Sequence, residues 1–127
     1  MRTTEPPPWL ELTAAQGDGT GVVPGAAART RVELFTRLAE TLDLPGYFGR
    51  NWDALADCLL DLVEAGPLTL TVEDADQLLS DEPPAQLVSL LDVFDDVWSH
   101  GRHQVRVVLR TAPERLPELR RRVTATG

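Results

Sequence analysis

Apolar positions fall at helical spacing in three stretches of the chain. Val32, Phe35, Leu38, Ala39 and Leu42 predict a helix from about Arg31 to Thr41. Thr30 and Glu33 flank its start as a capping box, in which a hydroxyl and a carboxylate each satisfy an otherwise orphan helix N–H. Pro45 and Gly46 stop it. Trp52, Leu55, Leu59 and Leu62 predict a second helix, from Asn51 or Trp52 to about Glu64, closed by Gly66 and Pro67. Leu87, Leu90, Leu91, Phe94, Val97 and Trp98 predict a long one from Pro83 to about His100, with Asp81 as its cap and Gly101 at its end. A short helix is expected over Glu73 to Leu79.

Three other runs read as strands: Trp9 to Thr13 with partial alternation, Leu68 to Val72, and Gln104 to Leu109. Residues 14–29 hold Gly17, Gly19, Gly21, Pro24 and Gly25, which is loop chemistry with at most a short extended piece at Val22 and Val23. Strands alternating with helices imply parallel pairing through right-handed crossovers. The expected fold class is therefore α/β, a small three-stranded parallel sheet packed with about four helices. Pro6, Pro7 and Pro8 mark residues 1–8 as an irregular lead-in, residues 9–110 form the domain, and 111–127 are an Arg-containing tail with room for a turn or two of helix over 118–124.

The chain has 127 residues, 43% of them hydrophobic, which suffices for one core without disulfides or metal. The single cysteine, Cys58, excludes an intrachain disulfide framework. No apolar run is long enough for a membrane helix, and the lead-in lacks the apolar run of a secretory leader, so the expected compartment is the cytoplasm. All 12 bases are Arg, which removes a P-loop lysine and a Schiff base.

The net charge of −8 argues against nucleic acid and against an anionic membrane surface as partners. The charge is also unevenly placed. From Glu40 to His100 there are 14 acids and one base, Arg50. On the second helix Asp53, Asp57, Asp61 and Glu64 recur at spacings that stack carboxylates along one side. Like charges four apart destabilise a helix by about 0.2–0.5 kcal/mol per pair. Asp53 is benign, since an acid in the first turn complements the helix dipole. Asp57 and Asp61 have no such compensation. Charge runs are ordinarily solvated faces, and the pattern alone favours that reading. If Asp92, Asp95 and Asp96 of the long helix lie alongside, the acids merge into a negative field suited to a basic partner.

Enzyme readings are weak. In the run Gly17 to Val22, Val22 takes the place of the third glycine of a dinucleotide fingerprint. His100 and His103 have a Gly between them and no third ligand nearby. Ser99 beside His100 is adjacency, not triad geometry. Three Asp on an exposed helix lack the apolar pocket that raises a catalytic carboxyl's pKa. Cys58 has no basic neighbour in sequence and reads as a buried structural thiol. No cofactor or metal is expected.

The stretch Leu44-Pro45-Gly46-Tyr47-Phe48-Gly49-Arg50-Asn51-Trp52-Asp53-Ala54-Leu55-Ala56-Asp57-Cys58-Leu59 resembles the barstar family, intracellular protein inhibitors of barnase-type ribonucleases. The likeness extends more weakly over roughly 30–110, through the helix at Thr30 and through Val93-Phe94-Asp95-Asp96 to the strand ending at Leu109. The resemblance implies a non-enzyme whose second helix and preceding loop plug a ribonuclease active site, one-to-one. The partner it implies is an extracellular or toxin-type ribonuclease with a basic active site. By position, Tyr47 would pack on the catalytic face, Gly49 and Asn51 would shape the loop, Asp53 would pair with basic residues, and Asp57 would enter a phosphate site. Asp96 would replace a family Glu. Ala56 stands where the family's namesake has Trp, Asp61 where it has Gly, and Arg50 puts a base in the binding loop. Ala56 and Asp61 mildly favour an immunity protein against a different secreted toxin. A carboxylate hydrolase and a regulatory interaction module are the other rivals. For Arg115, Arg120, Arg121 and Arg122 of the tail, one idea is a fold-back onto the acidic helices that competes with a partner; a frayed terminus is the ordinary alternative.

Overall fold

Four parallel strands make the sheet in the computed structural model, which describes residues 7–14, 22–45 and 49–125. They are β1 (Leu10–Thr13), β2 (Val22–Pro24), β3 (Leu68–Glu73) and β4 (Val105–Arg110), in the order β1-β4-β3-β2. Four α-helices accompany them among the described residues: α1 (Arg31–Thr41), α2 (Trp52–Ala65), α3 (Pro84–His100) and α4 (Leu116–Ala125). The expected sheet had three strands. The fourth, β2, is three residues long, too short for alternation to show. It exists by pairing, with Val22, Val23 and Pro24 opposite Thr71, Val72 and Glu73. Pro24 is tolerated because β2 is an edge strand. Gly25 follows it because a Cβ there would run into the carbonyl oxygens of Glu73 and Asp74. The glycine-rich stretch Gly17 to Gly21 lies outside the described residues.

The core forms where the pleat turns Leu70 and Val72 of β3, with Val107 and Leu109 of β4, toward α1 and α3. Leu38, Phe35 and Phe94 are fully buried there. Trp9 packs its ring 5.9 Å from Phe94 and donates its indole N–H to Asp95 at 3.2 Å, tying the start of β1 to α3. The capping box of α1 forms as expected. Its apolar stripe, however, runs through Leu34, Phe35 and Leu38, and Val32 is 68% exposed. Val32 lies about 120° round the helix from Leu38, beyond the edge of the packed face.

Two local expectations fail for identifiable reasons. Asp81 does not cap α3. Pro83 and Pro84 open that helix and offer no N–H to receive, so the Asp81 carboxylate instead accepts from Arg29 at 2.9 Å. The segment after β3 is a single 3-10 turn at Ala75–Gln77 rather than a helix reaching Leu79.

The described part of the tail, through residue 125, is neither frayed nor folded onto the acidic helices. It forms α4, with Leu119 and Val123 buried. Asp76 anchors it: Thr111 donates to its carboxylate at 2.7 Å and Arg115 at 2.9 Å, while Arg122 donates to its carbonyl at 3.1 Å. Arg120 and Arg121 are exposed.

Burial by itself would raise the pKa of Asp76, but the bonds from Thr111 and Arg115 outweigh it and hold the carboxyl below its ordinary range. The unfolded value is about 3.9. The stabilisation is therefore complete above that pH and fades as pH falls through the lower folded-state value. Asp76→Ala is expected to lower the unfolding temperature at pH 7, with about 1.5–3 kcal/mol lost through the Thr111 bond alone. Thermal unfolding at pH 7 and pH 3 checks this, because the gap between variant and parent should narrow in acid.

Candidate functional site

The acidic helix α2 is fixed at both ends. Asn51 is its N-cap: the side-chain oxygen accepts the Ala54 N–H at 2.7 Å, and the side-chain amide donates back to the Gly49 carbonyl at 3.3 Å. Trp52 follows as a wedge. Its ring meets Phe35 of α1 edge-on at 4.9 Å, and its indole N–H donates to Gln86 of α3 at 3.2 Å. At the other end the Val63 carbonyl accepts the His103 N–H at 3.1 Å. Gly101 lets Val63 approach, since a Cβ there would meet Val63 Cγ2 at 2.6 Å. Trp52 thus touches the start of α3 and Val63 its end, so the two helices lie side by side and run the same way.

That pairing decides where the carboxylates point. Successive residues turn about 100° round a helix. Trp52 and Val63 face α3, and Leu55, Leu59 and Val63 are fully buried. Ala56 and Leu60 come next round the circumference and are half-buried. Beyond them Asp53, Asp57, Asp61 and Glu64 are all exposed. On α3 Asp95 lies opposite Gln86 and accepts from Trp9. Asp96, about 80° from Gln86, is exposed on the outer side. Helical geometry therefore gathers Asp53, Asp57 and Asp96 on one outer side of the helix pair, with Ala56 and Leu60 between the α2 acids and the seam. Asp61 stands at the far flank of the stripe, next to Cys58. Of the α3 acids expected to join the field, Asp95 is turned away. Tyr47 lies outside the described residues.

Cys58 is buried and unbonded to another cysteine. Burial pushes its thiol pKa up, and the Asp61 and Asp57 charges push it the same way. A thiol so held is a poor nucleophile. His100 sets its Nδ1 3.0 Å from the Asp96 carbonyl oxygen, and the His103 side chain is half-buried. The face these elements present is a set of exposed carboxylates on a helix capped at its start, and no helix among the described residues is long and apolar enough to cross a membrane.

The sequence reading missed what precedes α2. Arg50 takes a positive φ of 54°, and its guanidinium donates to Thr36 Oγ1 at 3.1 Å. Thr36 donates in turn to the Val32 carbonyl at 2.9 Å. The spacing of Thr36 and Val32, one turn apart on α1, was a usable signal only once Val32 was known to be exposed.

A family model described as Barstar (barnase inhibitor) matches residues 20–110 of the chain. No match is found among curated proteins.

Two outcomes test this local architecture. Asn51→Ala is expected to cost about 1 kcal/mol of stability in chemical denaturation, while Asn51→Asp, an equally good cap, should cost little. Cys58 is expected to react with an aromatic disulfide reagent at pH 8 at least tenfold more slowly in the folded chain than in denaturant, because its thiolate fraction and access are both reduced (about 10% of a free thiol's rate or less).

Proposed function

The chain belongs to the barstar family, and from that premise we propose that it is an inhibitor that binds a basic ribonuclease one-to-one and blocks its active site with α2 and the loop before it. The observation that carries the proposal is the placement of Asp53 and Asp57, exposed one turn apart on a helix whose start is fixed by a cap and by the Trp52 wedge. A ribonuclease gathers cationic groups around the scissile phosphate. A carboxylate held on a rigid helix satisfies those cations, excludes water and offers no phosphodiester to cleave. Because the helix is ordered before binding, little conformational entropy is lost on association. Asp53 pairs with the outer bases, Asp57 fills the phosphate position, and Asp96 adds to the field from α3. Gly49 and Asn51 set the loop, and Tyr47 packs on the enzyme face.

The reading makes the protein a binder and not an enzyme, working in the cytoplasm, where a lone reduced thiol such as Cys58 is the ordinary state. One observation favours a second reading, an immunity protein against a different secreted toxin. Ala56 leaves a shallow floor beside the stripe where the family's namesake carries an aromatic, and Asp61 extends the charge beyond it. Such a face fits a partner with a bulkier projection and a wider basic rim.

The test is inhibition of a panel of barnase-type ribonucleases and toxin nuclease domains by the purified chain. Asp57→Ala is expected to weaken the tightest complex at least about thirtyfold, the threshold of an interface hot spot. Glu114→Ala, an exposed acid outside the stripe, should change it less than about twofold; Asp76 cannot serve as this control because it holds Thr111 and Arg115. Association should slow strongly as salt rises. Equal small effects of Asp57→Ala and Glu114→Ala would leave the stripe a solvated surface.

A further inference from the structure

Arg50 is out of character with its surroundings. It is the one base from Glu40 to His100, and it stands at the entrance to the acidic helix. Against a purely cationic cleft such a charge is repulsive. It is not spent inside the fold either. Arg29, Arg37, Arg106, Arg110 and Arg115 each hold a carboxylate; among the described residues no carboxylate lies within ion-pair distance of Arg50, as is also true of Arg31, Arg102 and the α4 arginines, but Arg50 alone of these lies in the acid-rich stretch from Glu40 to His100. Its guanidinium is instead steadied by a neutral hydroxyl, that of Thr36, which leaves the charge itself uncompensated. The residue is exposed, and so is Val32, one turn before Thr36 on the same side of α1. Val32 is the sole exposed large apolar side chain among the described residues.

We propose that Arg50, Thr36 and Val32 form a second contact patch, which selects a ribonuclease carrying a carboxylate beside apolar surface at the rim of its cationic cleft. The inference rests on the inhibitor reading and deepens it by naming what the partner must present. Three features carry it. An Arg with one N–H already fixed loses less freedom when it binds a carboxylate with its remaining donors. Arg and apolar contacts are the groups that interfaces concentrate, while bare charge is depleted from their centres. A cation beside the anionic stripe also gives the surface a sign pattern, plus next to minus, that only a partner with the inverse pattern matches without like-charge contact.

The sign of the mutational effect decides the matter. The probe is whichever barnase-type ribonuclease of the panel the chain inhibits most tightly. If the cleft alone matters, removing Arg50 relieves repulsion, and Arg50→Ala and Arg50→Glu bind as well as the parent or better. If the patch meets a carboxylate, Arg50→Ala should weaken inhibition about threefold, Arg50→Glu at least about tenfold, and Val32→Ser about threefold. Both substituted positions, Arg50 and Val32, are exposed, and unfolding temperatures should match the parent's. A swap on the enzyme guards against indirect effects: rim acids of the ribonuclease are changed one at a time to Arg, and one such variant should recover binding of Arg50→Glu while losing it to the parent chain. Unchanged or tighter binding by Arg50→Glu, or no rescuing partner, overturns the patch. When Asp57→Ala still weakens that complex, the patch alone has failed. When no ribonuclease is inhibited at all, the inhibitor reading fails and takes the patch with it.

Discussion

The side chain of Trp52 joins three helices at one point. Its ring stands edge-on to Phe35 of α1, its indole N–H reaches Gln86 of α3, and its backbone is the first residue of α2. Aromatic pairs of this kind contribute about 0.5–1.5 kcal/mol beyond their burial. More important is what the contact fixes. A helix is a rigid ruler, so setting its first residue sets the rotation of every later one. With Trp52 held between Phe35 and Gln86, Asp53 and Asp57 point outward and Leu55 and Leu59 point inward.

The same arrangement explains how an unfavourable charge pattern survives. Each pair of like charges one turn apart costs α2 about 0.2–0.5 kcal/mol. On its opposite side Leu55, Leu59 and Val63 are completely enclosed, and burying a side chain of that size is worth about 1.5–3 kcal/mol. The repulsion is thus a small deduction from a large packing gain. In the proposed complex it is also the part that a cationic partner reverses, since charges that repel one another in the free chain would each gain an opposite neighbour. The buried face of α2 supplies its stability, and the proposed recognition draws on the other.

The sequence announced whatever was written in local chemistry. Thr30 and Glu33 marked a helix start because the capping box needs nothing beyond the segment itself, and the spacing of Leu55 and Leu59 marked the buried side of α2, although at its end Val63 is buried and Leu62 only half-buried. What depends on distant partners was hidden. Val22–Pro24 becomes a strand only through β3, Asp81 is diverted by Arg29, and Asp76 is an anchor only because α4 returns to it. The acid stripe could be read as spacing, but its direction relative to Asp96 required knowing that α2 and α3 run together. Asp95 and Asp96, neighbours in sequence, were indistinguishable until Trp9 claimed one of them.

A binding face made only of carboxylates would meet any basic protein with similar ease. Long-range attraction of that sort raises encounter rates without choosing among partners, because every cationic cleft looks alike from a Debye length away. Choice has to come from groups that act at contact, where a mismatch leaves a charge or a polar atom without its complement. Arg50 is placed for that role. It precedes Asp53 by three residues yet its guanidinium is held by Thr36 on a different helix, so it adds a charge of opposite sign near the start of the acidic helix. In the complex proposed above, the stripe governs how quickly a basic enzyme arrives, and the offset cation governs which one stays. On that proposal, speed and discrimination are both set from one junction of α1 with α2, in a chain of 127 residues.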